Sequence, residues 1–92
     1  MYRYIIDLET NRRLFDLQCK QIEEKMQGIV KEKLLEDVDG SLIQSYAAPK
    51  GIVDVYNDEQ LNELYIQSEF ELLAYGVLLR KADQDAGRAR SN

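Results

Sequence analysis

Residues 57–79, NDEQLNELYIQSEFELLAYGVLL, carry the strongest local structural signals in the chain. Asn57 is a residue type that caps helix N-termini, and Asp58, Glu59 and Gln60 follow it in what would be the first turn. Mostly apolar positions then recur at alternating steps of four and three residues, which predicts a helix that packs on another helix. This seam consists of Leu61, Tyr65, Ser68, Leu72, Tyr75 and Leu79.

The last part of this predicted helix is apolar on most of its surface, because Phe70, Leu73 and Val77 occupy a different face from the seam. A helix of this kind needs more neighbours than one partner helix can provide. We therefore expect the chain to self-associate, in the simplest case as a homodimer. The predicted oligomer interface consists of Phe70, Leu72, Leu73, Tyr75, Val77 and Leu79.

The N-terminal part of the chain carries a second helical seam, which predicts a first long helix that reaches about Glu36. Its positions are Ile5, Leu8, Arg12, Phe15, Cys19, Ile22, Met26 and Ile29. The start of this helix has two interpretations, because alternate residues of the stretch 2–8 are also apolar, as in a β-strand. In the strand interpretation, Thr10 would cap a helix that begins at Asn11.

The connector between the two predicted helices contains the only proline, Pro49, and begins with the helix-breaking sequence DVDG, residues 37–40. Residues 41–46 and 52–56 flank a five-residue loop and could pair as a short β-hairpin. The competing description is a short helix followed by an extended linker.

These observations predict a mainly α fold, with two long antiparallel helices dimerising into a helical bundle. Residues 1–82 would form a single helical domain, and residues 83–92 a flexible C-terminal tail. The alternative is an α+β domain in which strands near 2–7, 41–46 and 51–56 form a three-stranded sheet covered by two helices. We disfavour it because a helix over 57–82 would be ~39 Å long and would overhang strands of ~20 Å.

Composition limits the chemistry and the compartment. Cys19 is the single cysteine and histidine is absent, so an intramolecular disulfide and zinc sites built from several Cys or His ligands are excluded. No nucleophile has an evident general base near it, and we predict no catalytic residues, metal or cofactor. The chain shows neither a signal peptide nor an apolar stretch of membrane-spanning length, and the predicted location is the cytoplasm, or the nucleus in a eukaryote.

Acidic residues are concentrated between Glu36 and Glu71, where nine acids accompany a single base, Lys50. A field of this sign repels nucleic acid phosphates and attracts basic proteins. We therefore predict a non-catalytic protein–protein interaction module that binds a basic surface and does not contact nucleic acid directly or a membrane. An inhibitor or antagonist that occupies the surface of a nucleic-acid-binding protein is one concrete form of this function.

The predicted partner-binding residues belong to the acidic region and its bordering tyrosines. They are Tyr46, Asp54, Tyr56, Asp58, Glu59 and Glu63. The alternative function is a structural subunit of a larger helical assembly, in which the acidic charge mainly provides solubility.

Overall fold

Six antiparallel strands and one α-helix make up the part of the chain that the computed structural model describes, residues 1–79. The strands are β1 (Tyr2–Asp7), β2 (Val30–Lys31), β3 (Leu35–Glu36), β4 (Leu42–Ala48), β5 (Gly51–Asp58) and β6 (Glu63–Ser68), and the helix is α1 (Arg12–Lys25). The strand order is β1-β6-β5-β4-β2, and β3 also pairs with β4. The first and last long strands of the chain therefore lie side by side in one sheet.

Residues 57–79 do not form the predicted second helix, and the mainly helical fold class is therefore wrong. Asn57 lies at the end of β5, where its side-chain oxygen accepts a hydrogen bond from the Asn11 N–H at 2.9 Å. A carboxylate oxygen of Asp58 accepts hydrogen bonds from the N–H groups of Gln60 and Leu61, which stabilises a tight turn into β6. The side-chain types that cap a helix thus cap a β-turn here. From residue 69 to residue 79 the chain is irregular apart from a 3-10 turn, Leu73–Tyr75. Residues 80–82 of the predicted helix and the predicted tail, residues 83–92, lie outside the described residues.

The first predicted helix is real but shorter at both ends than its seam indicates. Asn11 is its N-cap and accepts a hydrogen bond from the Leu14 N–H at 3.0 Å, so the helix begins at Arg12 and the preceding residues form β1. It ends at Lys25, and the stretch predicted to continue it to Glu36 instead forms β2 and β3. The bundle and its helix-to-helix seam are therefore absent from residues 1–79.

The alternative α+β prediction places strands where β1, β4 and β5 lie, but it also requires the second helix and lacks β2, β3 and β6. β4 and β5 form a hairpin in which Ala48 pairs with Gly51. The connecting turn therefore contains two residues, Pro49 and Lys50, and is shorter than the predicted five-residue loop.

The hydrophobic core lies between α1 and one face of the sheet. Strand residues alternate between the two faces, so one set from β4, β5 and β6 points at the helix. This set contains Leu42, Tyr46, Val53, Val55, Leu64 and Ile66, all of which are buried. Segment 69–79 closes the core with Leu72 and Val77, both fully buried. Gln18, a buried residue of α1, holds this segment against the helix. Its side-chain N–H donates to the Val77 carbonyl at 2.7 Å, and its Oε1 accepts from the Leu79 N–H at 2.8 Å.

Gly51, in the β4–β5 hairpin, has a φ of +148° and lies next to the Glu69 side chain. A Cβ added at Gly51 would lie 2.9 Å from the Glu69 Cβ and 2.7 Å from its Oε1. We expect Gly51→Ala to lower the free energy of unfolding by about 1–3 kcal/mol, since the backbone would be strained and the Glu69 side chain displaced. Denaturant unfolding would measure this loss.

Gly76 provides the matched control, because it also has a positive φ, +66°, but a Cβ there would meet nothing within 4 Å. We expect Gly76→Ala to cost only the backbone penalty of about 1 kcal/mol. Equal losses for the two variants would mean that Glu69 does not confine Gly51.

Candidate protein-docking face

The face of the sheet opposite α1, which we call the open face, carries a mixture of aromatic, apolar and acidic side chains. The pairing register of the strands determines which residues belong to this face, since Ile43 pairs with Tyr56 and Tyr56 with Tyr65. The single α-helix of residues 1–79, α1, packs on the other side, where its apolar residues share one buried cluster with the strands. The open face consists of Arg3, Ile5, Ile43, Ser45, Ile52, Asp54, Tyr56, Asp58, Glu63, Tyr65 and Gln67.

Two tyrosines form the centre of the open face. The rings of Tyr56 and Tyr65 are stacked across neighbouring strands, with centroids 4.8 Å apart and planes inclined by 13°. The Arg3 guanidinium covers the Tyr65 ring at 4.2 Å from its centroid and also donates to the Glu63 carboxylate at 2.7 Å. Aromatic stacking and a cation–π contact hold these rings in place, so the centre of the face is rigid before any partner binds.

Asp58 holds the hydroxyl end of the Tyr65 side chain in place. The Tyr65 hydroxyl donates to its Oδ2 at 2.8 Å, and burial together with this hydrogen bond raises the pKa of Tyr65 to about 12. Burial acts to raise the pKa of Asp58, but the hydrogen bonds from the Leu61 N–H, the Tyr65 hydroxyl and the Gln60 N–H outweigh it and lower that pKa. At neutral pH Asp58 is therefore charged and Tyr65 is protonated.

Asp54 contributes negative charge to the middle of the face, between Ser45 of β4 and Gln67 of β6. Its Oδ1 is buried and has no hydrogen-bond partner among the described residues. Burial, followed by the charges of Asp54 and Asp58, raises the pKa of Tyr56. The two carboxylates thus act on the same tyrosine, and Asp54 keeps acceptor capacity that residues 1–79 do not use.

Apolar side chains flank this centre and remain accessible to solvent. Ile5 is 46% exposed and Ile52 is 40% exposed, although both are large and β-branched. Leu35, which pairs with Ile43, and Val30, which pairs with Ala47, extend the apolar area towards the β2–β3 edge. Accessible apolar side chains around an aromatic centre are typical of surfaces that bind proteins.

The acidic charge continues beyond one end of the face into a shallow depression of about 160 Å³. The residues that line it are Asp37, Asp39, Ser41, Ile43, Tyr56, Asp58 and Gln60. On the open face itself, Arg3 is the one cation beside Asp54, Asp58 and Glu63, and it is already paired with Glu63. The surface therefore has a net negative charge.

The structure places four of the six predicted partner-binding residues on the open face: Asp54, Tyr56, Asp58 and Glu63. Glu59 lies in the exposed turn that follows β5, where its carboxylate accepts a hydrogen bond from the Thr10 hydroxyl at 3.3 Å. Tyr46 lies elsewhere, since it points at α1 and is fully buried.

The Tyr46 hydroxyl donates to Glu23 Oε2 at 2.6 Å, and Glu23 also pairs with Lys31 at 3.0 Å. This chain of contacts joins β4, α1 and β2. Tyr46 therefore serves the core and is not available to a partner.

The residues predicted to form an oligomer interface lie in the irregular segment 69–79. Leu72 and Val77 are fully buried in the chain's own core, while Phe70, Tyr75 and Leu79 pack against it. Leu73 alone among the six is exposed. The physical reason for predicting self-association through this stretch is therefore gone, because no helix with apolar residues all around exists here.

The sequence analysis does not predict the other seven residues of the open face, which are Arg3, Ile5, Ile43, Ser45, Ile52, Tyr65 and Gln67. The alternation of side chains along β5 was the available signal, because it places Ile52, Asp54, Tyr56 and Asp58 on one face. No local signal brings Arg3 to Glu63, which lies 60 residues further along the chain.

A second concavity of about 530 Å³ lies between α1 and the strap formed by β2 and β3. Its charged lining residues alternate in sign: Arg12, Asp16, Lys20, Glu23, Lys31 and Glu32. Cys19 also lines it, but burial raises the pKa of its thiol to about 11, so the reactive thiolate is disfavoured.

Among residues 1–79, no group of three or more Cys, Asp or Glu side chains is placed to hold a metal ion. No helix in the same part of the chain has the length and apolar character needed to cross a membrane. No family model matches the chain, and comparison with curated proteins and with solved structures finds no significant similarity. We therefore infer the candidate site from its geometry alone.

Proposed function

We propose that this chain is a non-catalytic protein-binding module whose open face docks the basic surface of a protein partner. The observation that carries the proposal is the arrangement of that face: Tyr56 stacked on the buried Tyr65, accessible isoleucines on either side, and Asp54, Asp58 and Glu63 among them. Tyrosine is enriched among the residues that dominate binding energy at protein interfaces. The carboxylates around it favour a partner that presents Lys or Arg.

The charge of the face favours a basic protein over two other occupants. A second copy of the chain would bring Asp54, Asp58 and Glu63 against the same three carboxylates, and like charges at an interface cost several kcal/mol. Nucleic acid would bring phosphates to the same surface. An antagonist that covers the nucleic-acid-binding surface of a basic protein is the form of this function that the charge supports.

The alternative function, a structural subunit of a helical assembly, depended on two long helices. Only one helix occurs in residues 1–79, and its buried side already contacts the sheet. Residues 1–79 therefore lend no support to the helical-subunit function.

Salt dependence tests the proposed electrostatic docking. The partner would be purified from the native host and titrated calorimetrically against the full chain between 0.1 M and 1 M salt, where the Debye length falls from ~10 Å to ~3 Å. We expect the affinity to fall steadily, by about tenfold or more, because the exposed carboxylates are screened. An affinity that stays constant over this range would show that the contact does not depend on charge.

A further inference from the structure

The strand β1 forms one edge of the sheet and pairs only with β6 within residues 1–79. Within residues 1–79, the outer side of Tyr2–Ile5 therefore offers backbone groups to another strand. Proteins usually protect such edges with lysines, prolines, bulges or very short strands, because an unprotected edge pairs with other chains. A register shift between Ile5 and Asp7 protects the end of β1, but no such device occurs in Tyr2–Ile5.

The opposite edge of the sheet differs in kind. It consists of β2 and β3, two separate strands of two residues each, and Lys31, Glu32 and Lys33 place charges along it. Short, interrupted and charged edges resist pairing. Any edge-to-edge association therefore favours β1.

The side chains of β1 are compatible with a buried edge. Tyr2 and Ile5 are each 46% exposed, and Met1 and Leu8 next to the strand are more exposed still. The one cation of the strand, Arg3, extends across the sheet to Tyr65 and Glu63 on β6, away from the free edge. The edge is thus apolar and carries no charge that points outward from Tyr2–Ile5.

We infer that β1 pairs antiparallel with β1 of a second copy, so that two sheets join into one. A strand that pairs with its own copy about a two-fold axis forms a closed, self-complementary contact. Directly opposite residues of an antiparallel pair lie on the same face of the sheet. If the two-fold axis passes between the two Tyr4 residues, Arg3 of each copy lies opposite Ile5 of the other. Centring it on Arg3 would instead bring two guanidinium groups together, and like charges directly opposite are destabilising.

This arrangement places both helices on one side of the joined sheet and both open faces on the other. The dimer would present two acidic docking faces side by side, and a partner with two basic patches would gain avidity without any new contact. The pairing itself does not depend on the proposed docking function, and it is measured without any partner present.

The test measures the mass of the full chain by sedimentation equilibrium over a range of concentrations. We expect the wild-type mass to rise with concentration from 10.7 kDa towards twice that value. Ile5→Lys sets Lys opposite Arg3 of the second copy, and we expect it to weaken dimerisation by about tenfold or more. Ile5→Glu removes the same apolar side chain but sets opposite charges together, and it should dimerise more tightly than Ile5→Lys.

Ile52→Lys is the control, because Ile52 is similarly exposed on the same face but lies on the interior strand β5. We expect its dimerisation constant to equal that of the wild type. Circular dichroism would verify that all variants are folded, and hydrogen exchange should show extra protection of the β1 amides at high concentration. A wild-type mass fixed at 10.7 kDa, or equal weakening by all three substitutions, would overturn the inference.

Discussion

Leu72→Ala is expected to lower the free energy of unfolding by about 2–5 kcal/mol, because it removes a fully buried side chain and leaves a cavity. Leu72 lies outside every helix and strand, yet it is among the most buried residues of the chain. Its backbone N–H donates to the Tyr4 hydroxyl at 2.9 Å, which fixes segment 69–79 against β1. Domains are stable by only about 5–15 kcal/mol, so the loss would be a large fraction of the total.

Leu73→Ala provides the matched control. Leu73 is the next residue, carries the same side chain and is 63% exposed. We expect its replacement to change the free energy of unfolding by no more than about 0.5 kcal/mol. Urea denaturation of the two variants would measure both values. Similar losses for the two would mean that segment 69–79 does not pack on the sheet as described.

The stretch 57–79 illustrates why the fold class could not be predicted from local patterns. Asn57, Asp58 and Glu59 resemble a helix N-terminus, but Asn and Asp also stabilise turns by accepting backbone hydrogen bonds. In β6 the alternation of apolar and polar residues that marks a strand is incomplete, because the aromatic Tyr65 lies on the open face. It is only 5% exposed there, since Arg3 and Tyr56 cover it. Since these contacts come from distant parts of the chain, the alternation that marks a strand was hidden.

The helix α1 was better predicted because its signal is local. Phe15, Cys19, Ile22 and Met26 follow the predicted seam and are all buried. The boundaries were wrong because the seam continues by chance into β1, where Ile5 lies on the open face of the sheet. Periodicity identified the packed side of the helix, whereas the Asn11 cap and the pairing of β1 with β6 determined where it begins.

The acidic character of the site was accessible from sequence, because a charge count needs no structure. The charge count predicts Asp54, Asp58 and Glu63, and the sheet places all three on the open face. Tyr46 and Tyr56 are predicted because they border the acidic connector, and of the two only Tyr56 lies on the open face. Tyr46 pairs with Val53, and both side chains therefore point towards α1. The position of Tyr46 beside the acidic connector in the sequence does not indicate which face of the sheet its side chain occupies.

We expect the double substitution Asp54→Asn with Glu63→Gln to weaken partner binding by about tenfold or more, since it removes two negative charges from the open face. The fold should persist, because Asp54 Oδ1 has no hydrogen-bond partner to lose among residues 1–79 and the Glu63–Arg3 pair is partly exposed. An exposed ion pair contributes only about 0–1 kcal/mol to stability.

Asp16→Asn with Glu24→Gln is the control for net charge. Both residues lie on α1, with side chains 59% and 56% exposed, and each pairs with a base four positions away. This variant changes the total charge by the same amount as the first but leaves the open face intact. It therefore separates an effect of position from an effect of overall charge.

Calorimetric titration of the purified partner against the wild type and these two variants, at a fixed salt concentration of about 0.1 M, tests the docking face most directly. We expect the open-face variant to bind about tenfold more weakly and the α1 variant to bind as the wild type does. Equal affinities for all three proteins, or equal weakening of both variants, would contradict docking through the open face.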